Sequence, residues 1–284
     1  MISNVNVKSS DGRNLCVQTF GDPSERAVLF HSGTWEGRTL YPPLIEDAKR
    51  FGLFVIGYDR PGYGGSTAQP GRTIADHAAD LTAIAKHLEI TRLATIGFSG
   101  GGSHAVASAV LLPDLIVASV AFCPLRPIET PNVGLISKEE ENPRPIFNPL
   151  SARPPLEKER EEILAISQEG IKEVNMAFPE KERVSAAFLD FHYGSMKAAI
   201  EPGVEGPVDD IRAYYTPWGL DLKTNRIPIG IWHGKADATV PYTHGEWLAA
   251  NTPRTQVRLT ETDSHRSIFE NSYDEAMEWL LPHF

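Results

Sequence analysis

Short apolar runs bounded by turn residues recur along the chain and alternate with stretches of helical periodicity. The clearest helical stretch, 73–88, begins with a capping-box pattern at Thr73 and Asp76. Its apolar residues are spaced three and four apart, on one face of a helix: Ile74, Ala78, Leu81, Ala85 and Leu88. Six runs resemble strands buried on both faces of a parallel sheet: 27–30, 53–58, 93–98, 115–122, 227–232 and 257–260. The alternation predicts an α/β fold with crossover helices between the strands.

The first 25 residues follow a different pattern. Residues 5–9 and 15–20 each read as a strand with alternating polarity, and the Asp11-Gly12 dipeptide between them is typical of a tight hairpin turn. These residues therefore predict an antiparallel hairpin at the edge of the sheet.

Residues 126–225 interrupt the alternation, because they contain no convincing strand. Two helical spacings and repeated prolines mark this segment: Ile171, Val174 and Phe178, then Val184, Phe188 and Phe191. A structureless loop of this length is improbable in a compact domain. We therefore expect a helical cap at 126–225 over a core formed by 1–125 and 226–284, with further helices at 242–251 and 272–281.

Composition and charge narrow the classes of function. The 284 residues carry 27 Lys and Arg against 37 Asp and Glu, a formal charge of −10, of which −6 falls in the predicted cap. This balance argues against nucleic-acid and anionic-membrane partners and favours a small-molecule substrate that is not strongly anionic. The chain start lacks a secretory apolar segment, and no apolar run reaches 18 residues, so we expect a cytoplasmic protein. Cys16 and Cys123 fit neither a disulfide scaffold nor a zinc motif, and no metal or other cofactor is expected.

The sequence Gly97-Phe98-Ser99-Gly100-Gly101 carries the clearest chemical signal. It follows the predicted strand 93–98 and precedes a helical pattern at 103–112, which is the context that a G-x-S-x-G nucleophile elbow requires. Gly97 and Gly101 allow the strand and helix to approach closely, while Ser99 takes a strained turn. Ser99 is therefore the predicted nucleophile, with the Gly100 N–H as one oxyanion donor.

A serine nucleophile needs a histidine base and a carboxylate that orients it. Asp237 and His265 follow the predicted strands 227–232 and 257–260, in the chain order Ser, Asp, His. His233 is the main rival base, but its place at the strand end indicates that it braces the following loop. Asp263, two residues before His265, is expected to cap a turn.

Two further loops follow predicted strands. Residues 31–35 are expected to supply the second oxyanion N–H from Gly33, with Thr34 as the neighbouring alternative. The loop 59–66 is rich in Pro and Gly, and we expect a structural role in which Asp59 or Arg60 binds loop backbone or the two pair with each other.

These motifs resemble the α/β-hydrolase superfamily, in its cap-bearing, esterase-like or haloperoxidase-like branch. The resemblance implies an eight-stranded, mostly parallel sheet, a helical cap and cofactor-free acyl transfer. His31-Ser32 replaces the family's usual His-Gly pair, and the His-Gly-Gly-Pro-Gly pattern of proline iminopeptidases is absent. Serine at position 99 disfavours dehalogenase and epoxide hydrolase chemistry, since both require a carboxylate nucleophile.

The leading hypothesis is a serine hydrolase that cleaves a small carboxylic ester or related acyl compound through an acyl-enzyme. The same residues allow amide, N-terminal peptide or C–C bond hydrolysis, and a non-catalytic small-ligand receptor on the same fold. Five residues near the strand end at 122 or in the cap are candidate substrate contacts, although each could equally pack in the core: Phe122, Cys123, Tyr214, Tyr215 and Trp218.

Overall fold

The computed structural model describes residues 1–127 and 153–284, which fold around one eight-stranded sheet. Its strand order is β1-β2-β4-β3-β5-β6-β7-β8. The pairings of β2 with β1 and β4 are antiparallel and all others are parallel, so the predicted α/β class and edge hairpin are confirmed. The strands are Ile2–Lys8 (β1), Asn14–Phe20 (β2), Ala27–His31 (β3), Phe54–Tyr58 (β4), Leu93–Phe98 (β5), Ile116–Phe122 (β6), Ile229–Gly234 (β7) and Thr255–Thr260 (β8).

Helices cover both faces of the sheet, as the near-continuous apolar strands require. One face packs against α1 and α9, and the other against α2, α3 and α8. In the described residues the helices are Pro42–Phe51 (α1), His77–His87 (α2), Gly100–Leu111 (α3), Arg153–Ala165 (α4), Gln168–Met176 (α5), Ala186–Ile200 (α6), Glu205–Tyr214 (α7), Thr243–Asn251 (α8) and Ser267–Leu280 (α9). None of these helices is long and apolar enough to span a bilayer.

The described part of the segment between β6 and β7 is helical and contains no strand, as predicted. Helices α4, α6 and α7 share an apolar cluster with Trp35 and Tyr63, which lie in loops that follow β3 and β4. These helices therefore pack over the carboxyl edge of the sheet as a cap. The predicted cap prolines at 143, 145 and 149 lie outside the described residues.

Helix starts differ most from the sequence predictions. The predicted helix 73–88 begins only at His77, because the Asp76 carboxylate accepts hydrogen bonds from the N–H and the hydroxyl of Thr73, at 2.6 and 2.9 Å, and closes a separate turn. The last helix begins at Ser267 and not at the predicted 272, and its additional first turn buries the apolar side chains of Ile268 and Phe269.

Candidate active site

Ser99 lies at a strained turn between β5 and α3. Its φ of 54° and ψ of −123° are unusual for a residue with a side chain. A Cβ on Gly97 would lie 2.1 Å from the Gly101 carbonyl oxygen, and one on Gly101 would lie 2.0 Å from the His31 carbonyl oxygen. Glycine is therefore required at both flanking positions, and the turn carries the Ser99 hydroxyl to the carboxyl edge of the sheet.

The structure brings Ser99, His265 and Asp237 together in one hydrogen-bonded chain. Ser99 Oγ lies 2.8 Å from His265 Nε2, and His265 Nδ1 lies 2.7 Å from Asp237 Oδ2. Asp237 is in the loop after β7 and His265 in the loop between β8 and α9. Parallel strands deliver all three side chains to the same sheet edge. There the imidazole is placed to accept the hydroxyl proton, and the carboxylate is placed to stabilise the imidazolium that forms.

The Asp237 carboxylate is held in one orientation by its own loop. The backbone N–H groups of Thr239 and Val240 both donate to Oδ1 at 2.8 Å, which leaves Oδ2 directed at His265. Burial alone would raise the pKa of Asp237, but the facing charge of His265 and hydrogen bonds from His233 and His265 hold that pKa below its ordinary value. Asp237 is therefore ionised, and its negative charge lies beside His265 Nδ1.

The rival residues occupy supporting positions. His233 Nε2 donates to the Val240 carbonyl oxygen at 2.8 Å and lies 3.4 Å from Asp237 Oδ2, so it braces the loop that carries Asp237. Asp263 Oδ1 accepts hydrogen bonds from the Ser267 hydroxyl at 2.9 Å and the Asn271 amide at 2.7 Å. Asp263 thus fixes the first turn of α9 and leaves His265 to Asp237.

Cys123 is a buried neighbour of the same histidine. Its Sγ lies 4.0 Å from His265 Nε2 and donates to the His265 carbonyl oxygen at 3.5 Å. Burial and the nearby Asp237 charge raise the pKa of the Cys123 thiol well above its usual range. The thiol therefore stays protonated, which makes Cys123 a buried neighbour of His265 and a poor nucleophile or metal ligand.

The second oxyanion donor is where the structure corrects the sequence expectation. The Gly33 N–H already donates to Glu36 Oε2 at 2.7 Å, so it is not available to an oxyanion. The Thr34 N–H makes no hydrogen bond to any residue that the structure describes. A Cβ on Gly100 would lie 2.5 Å from Thr34 Oγ1, which places Thr34 directly across from the first residue of α3. Thr34 and Gly100 are therefore the pair placed to donate.

Arg60 holds the backbone of this oxyanion loop, residues 32–36. Its Nη1 donates to the Ser32 carbonyl oxygen at 2.6 Å, and its Nη2 donates to the Gly33 carbonyl oxygen at 2.9 Å. The same guanidinium pairs with Asp210 of cap helix α7, at 2.7 Å. Of the two roles expected for Asp59 and Arg60, binding of loop backbone is observed, since Asp59 Oδ2 accepts the Gly65 N–H at 3.2 Å. The two side chains do not pair with each other, because Asp59 pairs with Arg38.

Asp210 is the centre of a fully buried network between cap and core. Besides Arg60, it pairs with Arg72 at 2.6 Å and accepts a hydrogen bond from the Tyr63 hydroxyl at 2.8 Å. Burial would raise the pKa of Asp210, but the charges of Arg60 and Arg72 keep it below its usual range. The Tyr63 hydroxyl in turn accepts the Trp35 N–H at 3.3 Å. The cap thus fixes the loop that follows β3.

A cavity of about 580 Å³ opens over Ser99 and His265, and its wall includes Thr34, Phe98, His192 and Tyr193. None of the five residues that the sequence suggested as substrate contacts lies on this wall: Phe122, Cys123, Tyr214, Tyr215 and Trp218. Phe122 packs against Trp232 and Phe269, and Cys123 lies beside His265. Tyr214, Tyr215 and Trp218 pack in apolar clusters that cap and core residues share. No sequence pattern distinguishes such packed aromatics from pocket aromatics.

Parallel strands that deliver a serine, an aspartate and a histidine to one edge, in that order along the chain, are the arrangement of an α/β hydrolase. Residues 27–279 match the family model described as the alpha/beta hydrolase family, and the chain belongs to this family.

Several solved structures share the fold over nearly the whole chain. An esterase from Exiguobacterium antarcticum is 17% identical, with 99% of each chain covered and a TM-score of 0.73. A bromoperoxidase from Bacillus anthracis is 22% identical, with 99% of each chain covered and a TM-score of 0.67. An enol-lactonase from Burkholderia xenovorans LB400 is 17% identical, covers 97% of this chain and 98% of its own, and has a TM-score of 0.67. Identities this low establish the shared fold, and the chemistry has to be argued from this chain's own site.

Proposed function

We propose that this hydrolase-family protein cleaves a small carboxylic ester through an acyl-enzyme on Ser99. The observation that carries the proposal is the unbroken chain from Ser99 Oγ through His265 to Asp237, which opens onto the cavity beside two backbone N–H groups. The esterase and enol-lactonase of the same fold act on ester bonds by name, which agrees with this reaction class.

In the first half-reaction, Ser99 Oγ forms a bond to the ester carbonyl carbon while its proton passes to His265 Nε2. The carbonyl π electrons move to oxygen, and the Thr34 and Gly100 N–H groups bind the resulting oxyanion. When the carbonyl re-forms, the bond to the leaving alkoxide breaks, and His265 returns the proton to that oxygen. Asp237 keeps His265 in the tautomer that can accept at Nε2 and stabilises the imidazolium between these transfers.

In the second half-reaction, water replaces the departed alcohol. His265 takes a proton from the water as its oxygen attacks the acyl carbon, and the same two N–H groups bind the second oxyanion. Collapse of this intermediate releases the carboxylic acid, and the proton on His265 returns to Ser99 Oγ. Each step uses groups that the described residues supply.

A fluorophosphonate probe tests the nucleophile and an ester panel tests turnover. We expect covalent labelling at Ser99, hydrolysis of short p-nitrophenyl esters, and loss of both in Ser99→Ala. Ser103→Ala is a matched control, since Ser103 is a buried α3 serine that hydrogen-bonds the Leu125 backbone away from the cavity. Labelling without turnover of esters, amides or C–C substrates would favour a receptor, and unlabelled, folded protein would overturn the proposal.

A further inference from the structure

A second histidine–carboxylate pair lies in the same cavity. Glu36, 1% exposed, hydrogen-bonds His192 Nδ1 through Oε1 and the Gly33 N–H through Oε2. Glu36 belongs to the oxyanion loop and His192 to cap helix α6. Because a carboxylate can only accept, the shared proton is carried by His192 Nδ1, which fixes the tautomer and the orientation of the ring.

The His192 ring packs against aromatic side chains and lines the cavity. It stacks on Phe188 with a centroid separation of 5.6 Å and an interplanar angle of 21°. Its centroid also lies 6.5 Å from that of Phe98, and the Phe98 centroid lies 5.3 Å from that of the His265 ring. His192 and His265 therefore line the same cavity, with the Phe98 ring near both.

His192 Nε2 is the polar atom of this pair that remains for a ligand. It makes no hydrogen bond to any residue within 1–127 and 153–284, while Nδ1 is committed to Glu36. A neutral imidazole that donates from Nδ1 carries a lone pair on Nε2, so it accepts a hydrogen bond.

The charge around the cavity also favours a ligand group that donates a hydrogen bond. Among the described residues, three carboxylates and two cations lie on the wall: Glu159, Glu162, Glu182, Lys158 and Arg266. The Glu36 carboxylate behind His192 adds further negative charge. An uncharged hydrogen-bond donor suits this environment better than an anion.

We infer that the Glu36–His192 pair is a specificity subsite that accepts a hydrogen bond from a hydroxyl group of the substrate. The inference rests on the proposed ester hydrolysis and adds that the preferred esters are hydroxylated. A site that is built to bind a hydroxyl rejects the analogue that lacks it, because its buried polar groups are then left unpaired.

Two isosteric substrate pairs locate the hydroxyl. On the acyl side, p-nitrophenyl 3-hydroxybutyrate is compared with p-nitrophenyl 3-methylbutyrate, and on the alcohol side 2-hydroxyethyl butyrate is compared with propyl butyrate. Wild-type kcat/KM should favour the hydroxylated member of one pair by about tenfold, as one hydrogen bond implies. No preference in either pair would overturn the subsite.

Variants of the pair identify the acceptor. His192→Phe keeps a ring on Phe188 and removes Nε2, so the kcat/KM ratio within the responding pair should fall to about one, whether or not loss of the Glu36 contact slows both esters. Tyr193→Phe is the matched control, since it removes a cavity hydroxyl from the next position of α6 and leaves Glu36 untouched; its preference should stay within about twofold of wild type. An unchanged preference in His192→Phe would refute the role of His192.

The two proposals fail in different ways. If Ser99 labels and hydrolyses the hydrocarbon esters without any hydroxyl preference, the ester hydrolase stands and the subsite is wrong. If Ser99 does not react at all, calorimetric binding of the same four esters replaces kcat/KM. A hydroxyl preference in binding that His192→Phe abolishes would then support the subsite alone, and its absence would overturn it.

Discussion

Asp210→Asn should weaken the oxyanion hole from the cap side, although Asp210 does not touch the cavity. The substitution removes the charge that holds Arg60 and Arg72, and Arg60 is the group that fixes the carbonyl oxygens of Ser32 and Gly33. The loop carrying Thr34 then loses its support, so the donor shifts relative to the oxyanion. We expect kcat to fall more than KM rises, because the oxyanion forms only in the transition state.

The size of both effects follows from the burial of the network. Asp210 is 0% exposed and makes contacts of 2.6 to 2.8 Å with Arg72, Arg60 and Tyr63. Breaking a buried ion pair at one partner costs about 3–5 kcal/mol of unfolding free energy. Loss of an oxyanion donor lowers kcat by about 10²–10³-fold. If the Thr34 N–H is displaced and still present, kcat should fall by about 10–100-fold.

The assay is kcat and KM for a p-nitrophenyl ester, normalised to the Ser99 fraction that a fluorophosphonate labels, with urea unfolding alongside. Asp209→Asn is the matched control, since Asp209 lies next in α7 but binds the Gly71 N–H and Arg212. Tyr214→Phe removes only the hydroxyl that lies 3.1 Å from Thr34 Oγ1, and it tests the same loop if Asp210→Asn does not fold. Normal kcat in both Asp210→Asn and Tyr214→Phe would refute the coupling between α7 and the oxyanion loop.

Three other outcomes are expected. Ser99→Ala should lose up to about 10⁶-fold in kcat, and adding His265→Ala should cost little more, as kinetics of the double variant will show. Gly100→Ala should lower kcat for a p-nitrophenyl ester, since its Cβ would lie 2.0 Å from Tyr214 Oη and 2.5 Å from Thr34 Oγ1. Burial lowers the pKa of His77 to about 4, below its unfolded value of about 6.5. Neutral His77 therefore contributes fully to the free energy of unfolding above about pH 6.5, and this contribution is lost as pH falls. Between pH 7.5 and 5.0, urea unfolding should show that wild type loses about 2 kcal/mol more than His77→Gln.

The fold was predictable because each strand carries its own local signal. Buried parallel strands are nearly all apolar, and turn residues end them, so 93–98 matches β5 at both ends and the other strands within a few residues. Helix starts were less predictable, because they depend on side chains such as Asp76 that can close a turn in more than one way. The α1 helix was not predicted, since its start carries prolines and no capping side chain.

The candidate triad was predictable for a topological reason, while its surroundings were not. Ser99, Asp237 and His265 each follow a strand directly, and parallel strands place such residues at one edge without further information. Glu36 and Arg60 act through partners about 150 residues away along the chain, His192 and Asp210. No local pattern encodes such pairings. The choice between Gly33 and Thr34 depended on the hydrogen bond from the Gly33 N–H to the Glu36 side chain, whose direction the sequence does not give.

The contacts from the cap also restrict how substrate reaches the site. Helix α7 holds the oxyanion loop through Asp210 and Tyr214, and helix α6 holds it through His192. Lifting α7 would separate a buried carboxylate from two guanidinium groups, which costs several kcal/mol at every opening. Ligand exchange therefore costs less free energy if α7 stays packed on the oxyanion loop and another part of the cavity wall moves. In the proposed mechanism the cap combines two roles, since its helices line the cavity and their contacts hold the loop that carries the Thr34 N–H.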